Sequence, residues 1–437
     1  MKLKRRYYNV KDVIWGEKST FNNGILKINK EELQKLFSPL GKGVIKDINF
    51  EIVKPGEDTR IIHILDTIQP MWKSEGKQKQ YPGFLSPPTT SGNGVTNLLK
   101  GFTVMECAPL PWENTSASSG LLYPREAIMD MVGPIAGMSP FSETINLAII
   151  FELIKGKSSI EYDKSIRQCG LKVAEYLASL TSKKSADEEE EFFIDEPNPD
   201  LPNVALVWQC QSQGPYASTF LYGLSIDNLV PTLLHPNELL DGCLVSGNYA
   251  WPAFKVPTYL HVNHPILLEL YKKHGKTLNF RGIILSRSHN PTQWHKERSA
   301  SFCVKLAQYL SLEGLVIAWE GGGNAAVDAM LTIQMAEQNS IKTSAITFEF
   351  GGEDGTAKDL LVDYVPEADA IISGGSIEKK ITIPKVNKVI GGNFFRLDKE
   401  SGGYFPSAKE EITFDTNTQI YCAGNQTGHS KLYAEAY

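Results

Sequence analysis

No run of about 18 apolar residues occurs in the chain, so no segment predicts a membrane-crossing helix. The basic cluster Lys2, Lys4, Arg5 and Arg6 is not followed by the apolar core of a secretion signal, and the expected location is the cytoplasm. Positive charge is not in excess. The 44 Lys and Arg against 50 Asp and Glu give a formal net charge of −6, and the basic residues are scattered, which leaves no footprint for nucleic acid. Cysteine is sparse: Cys107, Cys169, Cys210, Cys243, Cys303 and Cys422 lie far apart, with no C-x-x-C pair and no histidine at ligand spacing. A zinc site is therefore not expected, nor any other metal, and each cysteine reads as a small buried residue in a reducing compartment. Neither a G-x-G-x-x-G nor a P-loop pattern is present, which weakens any nucleotide-binding reading.

What is there is ordinary globular material, 437 residues with 42 % apolar and 22 % charged side chains, enough for two or three domains. Short β-branched runs punctuated by Gly and Pro (GILKI at 24, EIVKPG at 51, IIHIL at 61, GFTVMEC at 101, INLAIIFEL at 145) predict a strand-rich first part. The Pro-, Gly- and Ser-rich stretch between Gly76 and Gly101 reads as an exposed loop, with a functional flap as the alternative. Helical spacing over Ile166 to Ser182 closes this part, and the acidic, proline-bearing run that follows predicts a surface linker. Beyond it, buried-strand patterns at 201, 279, 314, 341 and 368 alternate with helical ones at 296 and 324. The expected fold class is α/β: an N-terminal α+β domain (1–182), a linker (183–200) and a doubly wound, mostly parallel α/β domain (201–437).

In such sheets ligands bind beyond the carboxyl ends of the strands, where LSRSHN, EGGGN, FEFGGEDG and SGGS stand. Arg287, Glu320, Gly322, Asn324, Glu349 and Ser373 are the candidate binding residues for a small zwitterion, since glycines let backbone amides approach an anion and the others can orient charge. Turns between strands and helices also need glycine simply to bend. His261 and His264 read as capping or core residues.

The stretch from Pro231 to Lys276, containing DGCLVSGNYAWPAFKVPTYLHVNHP, resembles the processing region of the component B proproteins of glycine, sarcosine and betaine reductase, a family related to the D-proline reductase proprotein. GPIAGMSPFSETIN at 133, PDLPNVALVWQCQSQG at 199, KERSASF at 296, GGGNAAVDAM at 321, VPEADAIISGG at 365 and KLYAEAY at 431 match the family's pattern in the same order. The resemblance implies self-cleavage within an S-G-N-C motif and a pyruvoyl group at the new terminus. That chemistry needs a heteroatom on Cβ, first to attack the preceding carbonyl through a five-membered ring and then to be eliminated. Here the motif reads Ser246, Gly247, Asn248, Tyr249, and Ala253 stands where a second cysteine often follows. A phenol whose oxygen is far from Cβ can do neither step, so no pyruvoyl cofactor is expected. Cys243, after Gly242, is the one substitute nucleophile to weigh.

The resemblance further implies a substrate-binding subunit working with a partner whose selenocysteine or cysteine attacks the α carbon and expels the amine. Two functional readings follow: an unprocessed subunit of such a hetero-oligomeric complex, binding a small amine or amino acid derivative, or a non-catalytic scaffold or regulatory paralogue that holds the partner subunit. Shared fold does not separate them.

Overall fold

Residues 1–75, 80–110, 127–212, 219–247, 252–352, 361, 363–394 and 406–430 are described by a computed structural model of the chain. The chain is mixed α/β, as expected. In the first part the β-branched runs build two four-stranded sheets. One orders Glu188–Phe192, Leu3–Asn9, Gly94–Lys100 and Met71–Lys73; the other orders Ile45–Val53, Ile145–Leu153, Phe102–Cys107 and Ile64–Ile68. The helix packed on them is Ser159–Ser179, which begins earlier than its apolar spacing indicates because Ser158 and Glu161 form a capping box. Its Tyr162, Ile166, Cys169, Val173 and Leu177 recur three and four residues apart and are fully buried.

The acidic run read as a linker contains an edge strand. Glu188–Phe192 pairs antiparallel with Leu3–Asn9, and the basic cluster at the chain's start answers its charges: Lys2 meets Glu191 at 2.8 Å and Arg6 meets Glu189 at 2.7 Å. Such exposed pairs stabilise by about 0–1 kcal/mol each and mainly fix register.

The second part is a six-stranded sheet in the order Thr232–Leu234, Asn279–Ser288, Asn203–Gln211, Gly314–Trp319, Lys342–Glu349, Ile371–Ser376. All neighbours are parallel except the short edge strand Thr232–Leu234. One face is covered by the helices Gln293–Tyr309 and Asn324–Gln338, which share a core with Val207, Ile284, Ile317 and Trp319. The other face carries Leu206, Trp208, Ile283 and Leu285 into a core that also holds Ile64, Met105 and Phe141 of the first part. The two parts thus bury one apolar surface between them.

A second tie crosses the chain. Lys388–Ile390 lies parallel to Thr59–Ile62, and Arg60 beside it is fully buried. Its guanidinium forms a bidentate pair with Asp130 at 2.7 and 2.9 Å and donates to the carbonyls of Pro384, Ala408 and Glu410. Removing one member of a buried pair strands the other charge, at a cost of roughly 3–5 kcal/mol. Asp130→Ala is therefore expected to lower stability to denaturant by about that much, and a loss under 1 kcal/mol would show that Arg60 is satisfied by its carbonyls alone.

Candidate functional site

The chain leaves Asn203–Gln211, then adds Asn279–Ser288 on one side and Gly314–Trp319 on the other. Such a reversal marks the edge, at the carboxyl ends of the central strands, where open α/β sheets bind ligands. Glu320, fully buried at that edge, accepts from the Gln211 amide at 2.7 Å and the Val256 amide at 3.1 Å, with Thr219 Oγ1 at 3.5 Å. Burial nevertheless pushes its carboxyl up to about 7, against the pull of those amides and of Lys255.

Lys255 precedes the amide that Glu320 holds, and its side chain turns inward. Nζ donates to Ser246 Oγ at 3.0 Å and stands 3.8 Å from Asp66 Oδ1. Asp66, on the strand Ile64–Ile68, accepts from the Thr258 amide at 3.0 Å and from its hydroxyl at 2.5 Å, and the same hydroxyl accepts from the Ser246 amide at 3.0 Å. Ser246 is thus gripped at both side chain and backbone, two and three residues before Asn248 and Tyr249, which lie outside the described residues. Burial drives the Asp66 carboxyl up and the Lys255 ammonium down, each toward its neutral form, and their mutual attraction opposes this.

Glu106 stands directly opposite Asp66 in the antiparallel pair Phe102–Cys107 with Ile64–Ile68, where two like charges would repel. Among the described residues neither of its carboxyl oxygens has a hydrogen-bond partner, and burial, reinforced by Asp66, raises it well above the usual carboxylate range. The neutral acid is the form the fold accommodates. Its space comes from Gly170, where a Cβ would lie 2.0 Å from Glu106 Oε1.

The loop read as exposed instead straps the segment leading to Ser246. Tyr81, Pro82 and Gly83 are buried, the Gly92 amide and the Thr96 hydroxyl donate to Asp241 at 2.7 and 2.6 Å, and Lys73 pairs with the same carboxylate. Gly83, with φ +76, presses on the Gly242–Cys243 peptide: a Cβ there would come within 2.6 Å of the Gly242 carbonyl. That carbonyl is covered, and burial pushes the Cys243 thiol well up, away from the thiolate a nucleophile needs. The residues present do not fit a pyruvoyl group: Tyr249 has no heteroatom on Cβ, and Cys243 is locked under Gly83.

Of the residues expected to bind substrate, Arg287 donates from Nε to Ser212 Oγ at 2.5 Å and bonds the carbonyls of Asp227 and His289. Ser212 donates to the Ser288 carbonyl and Ser288 to the Glu320 carbonyl, at 2.8 and 3.2 Å, so two serines join Arg287 to Glu320. Gly322 makes room for Phe350, whose ring a Cβ would meet at 2.7 Å. Asn324 is exposed and opens the helix Asn324–Gln338. Glu349 is buried at the end of the next strand, and Ser373, one strand further, accepts from its own Gly375 amide at 3.0 Å. Asp66, Glu106, Lys255 and Thr258 do not figure among the sequence expectations, and Ser246 does so only as part of the cleavage motif. The signal of the three charged ones is a lone charge inside an apolar run, IIHILDTI, FTVMEC and PAFKVP.

The Glu320 carboxyl ionises in the folded chain near pH 7, above its ordinary 4.5. A raised carboxyl contributes stability fully below its unfolded value, and loses it as pH rises through the folded one. In EDTA-containing buffer, which keeps adventitious ions off the carboxyl, the melting temperature of the wild type is expected to fall between pH 4.5 and 7 more steeply than that of Glu320→Gln. Parallel curves would show that Glu320 ionises without penalty.

Over residues 1–435 the sequence matches the family described as glycine/sarcosine/betaine reductase component B subunits. Similar proteins include a glycine reductase complex component B, subunits alpha and beta, of Acetoanaerobium sticklandii, 36 % identical over 436 residues and 98 % of each chain. A sarcosine reductase complex component B subunit alpha of Peptoclostridium acidaminophilum is 36 % identical over 444 residues, covering 100 % of each chain. A betaine reductase complex component B subunit alpha of the same organism is 32 % identical over 417 residues, covering 92 % of this chain and 91 % of its own. No solved structure matches.

Proposed function

The chain belongs to the glycine, sarcosine and betaine reductase component B family, and on that premise we propose that it is the unprocessed, substrate-binding subunit of a cytoplasmic reductase complex cleaving the C–N bond of a small amine or amino acid derivative. The observation that carries this reading is the buried Lys255–Asp66 pair, one hydrogen bond from Ser246 beside the family's cleavage position. A zwitterion suits it. The substrate carboxylate goes to the Lys255 ammonium and its amine to the acidic side of the crevice, Asp66 and Glu320. Arg287 steadies the rim, and Gly322, Asn324, Glu349 and Ser373 extend the same edge.

With tyrosine at 249 the chain has no keto group with which to form an imine, so amine activation falls to charge and hydrogen bonding in a water-poor site. A selenolate or thiolate of the partner subunit attacks the α carbon of the ammonium substrate, the C–N bond breaks with its electron pair going to nitrogen, and the neutral amine departs, leaving a carboxymethyl group on selenium or sulfur. A substrate with a quaternary nitrogen fits best, because a quaternary amine cannot form an imine in any case. The sarcosine and betaine relatives are named as subunit alpha alone, whereas the glycine relative is named for both subunits, which accords with a chain that stays whole.

Intact mass under denaturing conditions is expected to show one chain near 48.5 kDa that gains nothing from a carbonyl-trapping hydrazine. Two fragments, one labelled, would overturn the unprocessed reading. Among glycine, sarcosine and betaine, at least one is expected to raise the melting temperature of the wild type, and Lys255→Met to abolish that rise. No rise with any of the three, alongside retained capture of the selenocysteine or cysteine subunit, would favour the scaffold instead.

A further inference from the structure

One group of side chains at the crevice has the makings of a ligand set for an ion, although 210, 261 and 320 are too far apart in sequence to be read as one. Cys210, near the end of the strand Asn203–Gln211, His261 in the helix Thr258–Val262, and Glu320, just past Gly314–Trp319, are all fully buried. One potential ligand atom from each lies within 4.8 Å of the other two. Among the described residues, neither ring nitrogen of His261 has a hydrogen-bond partner. A buried polar group left unsatisfied costs roughly 1–3 kcal/mol, and two on one ring call for an explanation. The ring's contact with Trp208, centroids 5.9 Å apart, orients it without satisfying either nitrogen.

We propose that Cys210 Sγ, one imidazole nitrogen of His261 and a carboxylate oxygen of Glu320 bind a divalent transition-metal ion, zinc by the chemistry of the set. Sulfur, imidazole nitrogen and a single carboxylate are the ligands zinc takes at about 2.0–2.3 Å in tetrahedral sites, and the modest closing-in required is within reach of side-chain rotation. Three protein ligands leave a fourth position, the pattern of sites that hold water or substrate and not of closed structural sites. The surroundings suit the charge. Burial keeps His261 neutral, as a ligand must be, and the amides of Gln211 and Val256 fix the Glu320 carboxylate from behind. Burial and Glu320 hold the Cys210 thiol protonated until a cation displaces the proton. All three ligands sit on, or next to, regular elements anchored by other bonds; Thr258, which begins the His261 helix, is the residue bound to Asp66. The inference does not depend on the reductase reading, since it rests on the ligand set alone. An ion there would stand beside the Lys255 pocket and could take a substrate carboxylate in its open position.

The test is cobalt(II) titration of the full-length, chelator-treated protein, followed by zinc competition. The expected result is one cobalt per chain, with a thiolate-to-cobalt band in the near ultraviolet and tetrahedral bands in the visible, all lost on adding one equivalent of zinc. Cys210→Ala is expected to abolish the near-ultraviolet band and His261→Ala to abolish stoichiometric binding, while Cys303→Ser, buried within the helix Gln293–Tyr309 on the sheet's other face, leaves both unchanged. Absence of binding by the wild type overturns the proposal, as does a near-ultraviolet band that survives in Cys210→Ala. Should the alanine variants fail to fold, Glu320→Gln, which keeps the shape and, through its single oxygen, one of the two amide contacts, decides by the same readout: unchanged affinity and spectrum would exclude Glu320 as a ligand.

Discussion

Asp66 is the constraint on which the centre of this protein is built. A fully enclosed carboxylate costs several kcal/mol unless partners meet it, and Asp66 is met by the amide and hydroxyl of Thr258 and, at 3.8 Å, by Lys255. Those partners belong to the opposite half of the chain, so solvating one charge fixes where the 246–258 segment must run. Ser246 is then held by Thr258 from one side and Lys255 from the other. The same segment delivers the Val256 amide to Glu320, tying it to the carboxyl edge of the parallel sheet.

The two halves are consequently not independent bodies joined by a tether. They share the core that runs from Ile64 and Met105 to Trp208 and Leu285, and a strand from near the chain's end, Lys388–Ile390, completes a sheet begun at Thr59–Ile62. The acidic segment between them is itself paired to Leu3–Asn9. This interlocking lets a buried charge network persist, because water is excluded from both sides. It also accounts for Glu106 and Gly170: a helix can close over a neutral carboxyl only where it brings no side chain of its own.

Where the family resemblance implies a processing cysteine this chain has Tyr249, and the framework around that position is well built. The strap formed by residues 81–96 still grips Asp241 and covers the Gly242 carbonyl, and the Lys255–Asp66 pair still stands behind Ser246. Buried paired charge can orient a zwitterion without a keto group, and the proposed substrate-binding role rests on that.

The α/β class, the strands and helices from 279 to 349 and the family are legible in the residues alone, because periodicity and local motifs are properties of contiguous residues. So is the lack of a heteroatom on Cβ at Tyr249, a matter of the atoms on one side chain. The meeting of Asp66, Lys255 and Ser246, and of Cys210, His261 and Glu320, was decided only by the tertiary structure. So was the conversion of an acidic run and a Pro-rich loop into an edge strand and a strap. These depend on which distant segments share a buried surface, and in sequence a lone Asp, Lys or His in an apolar run does not name its partner. Burial makes that partner necessary, and only the packing of the whole chain selects it.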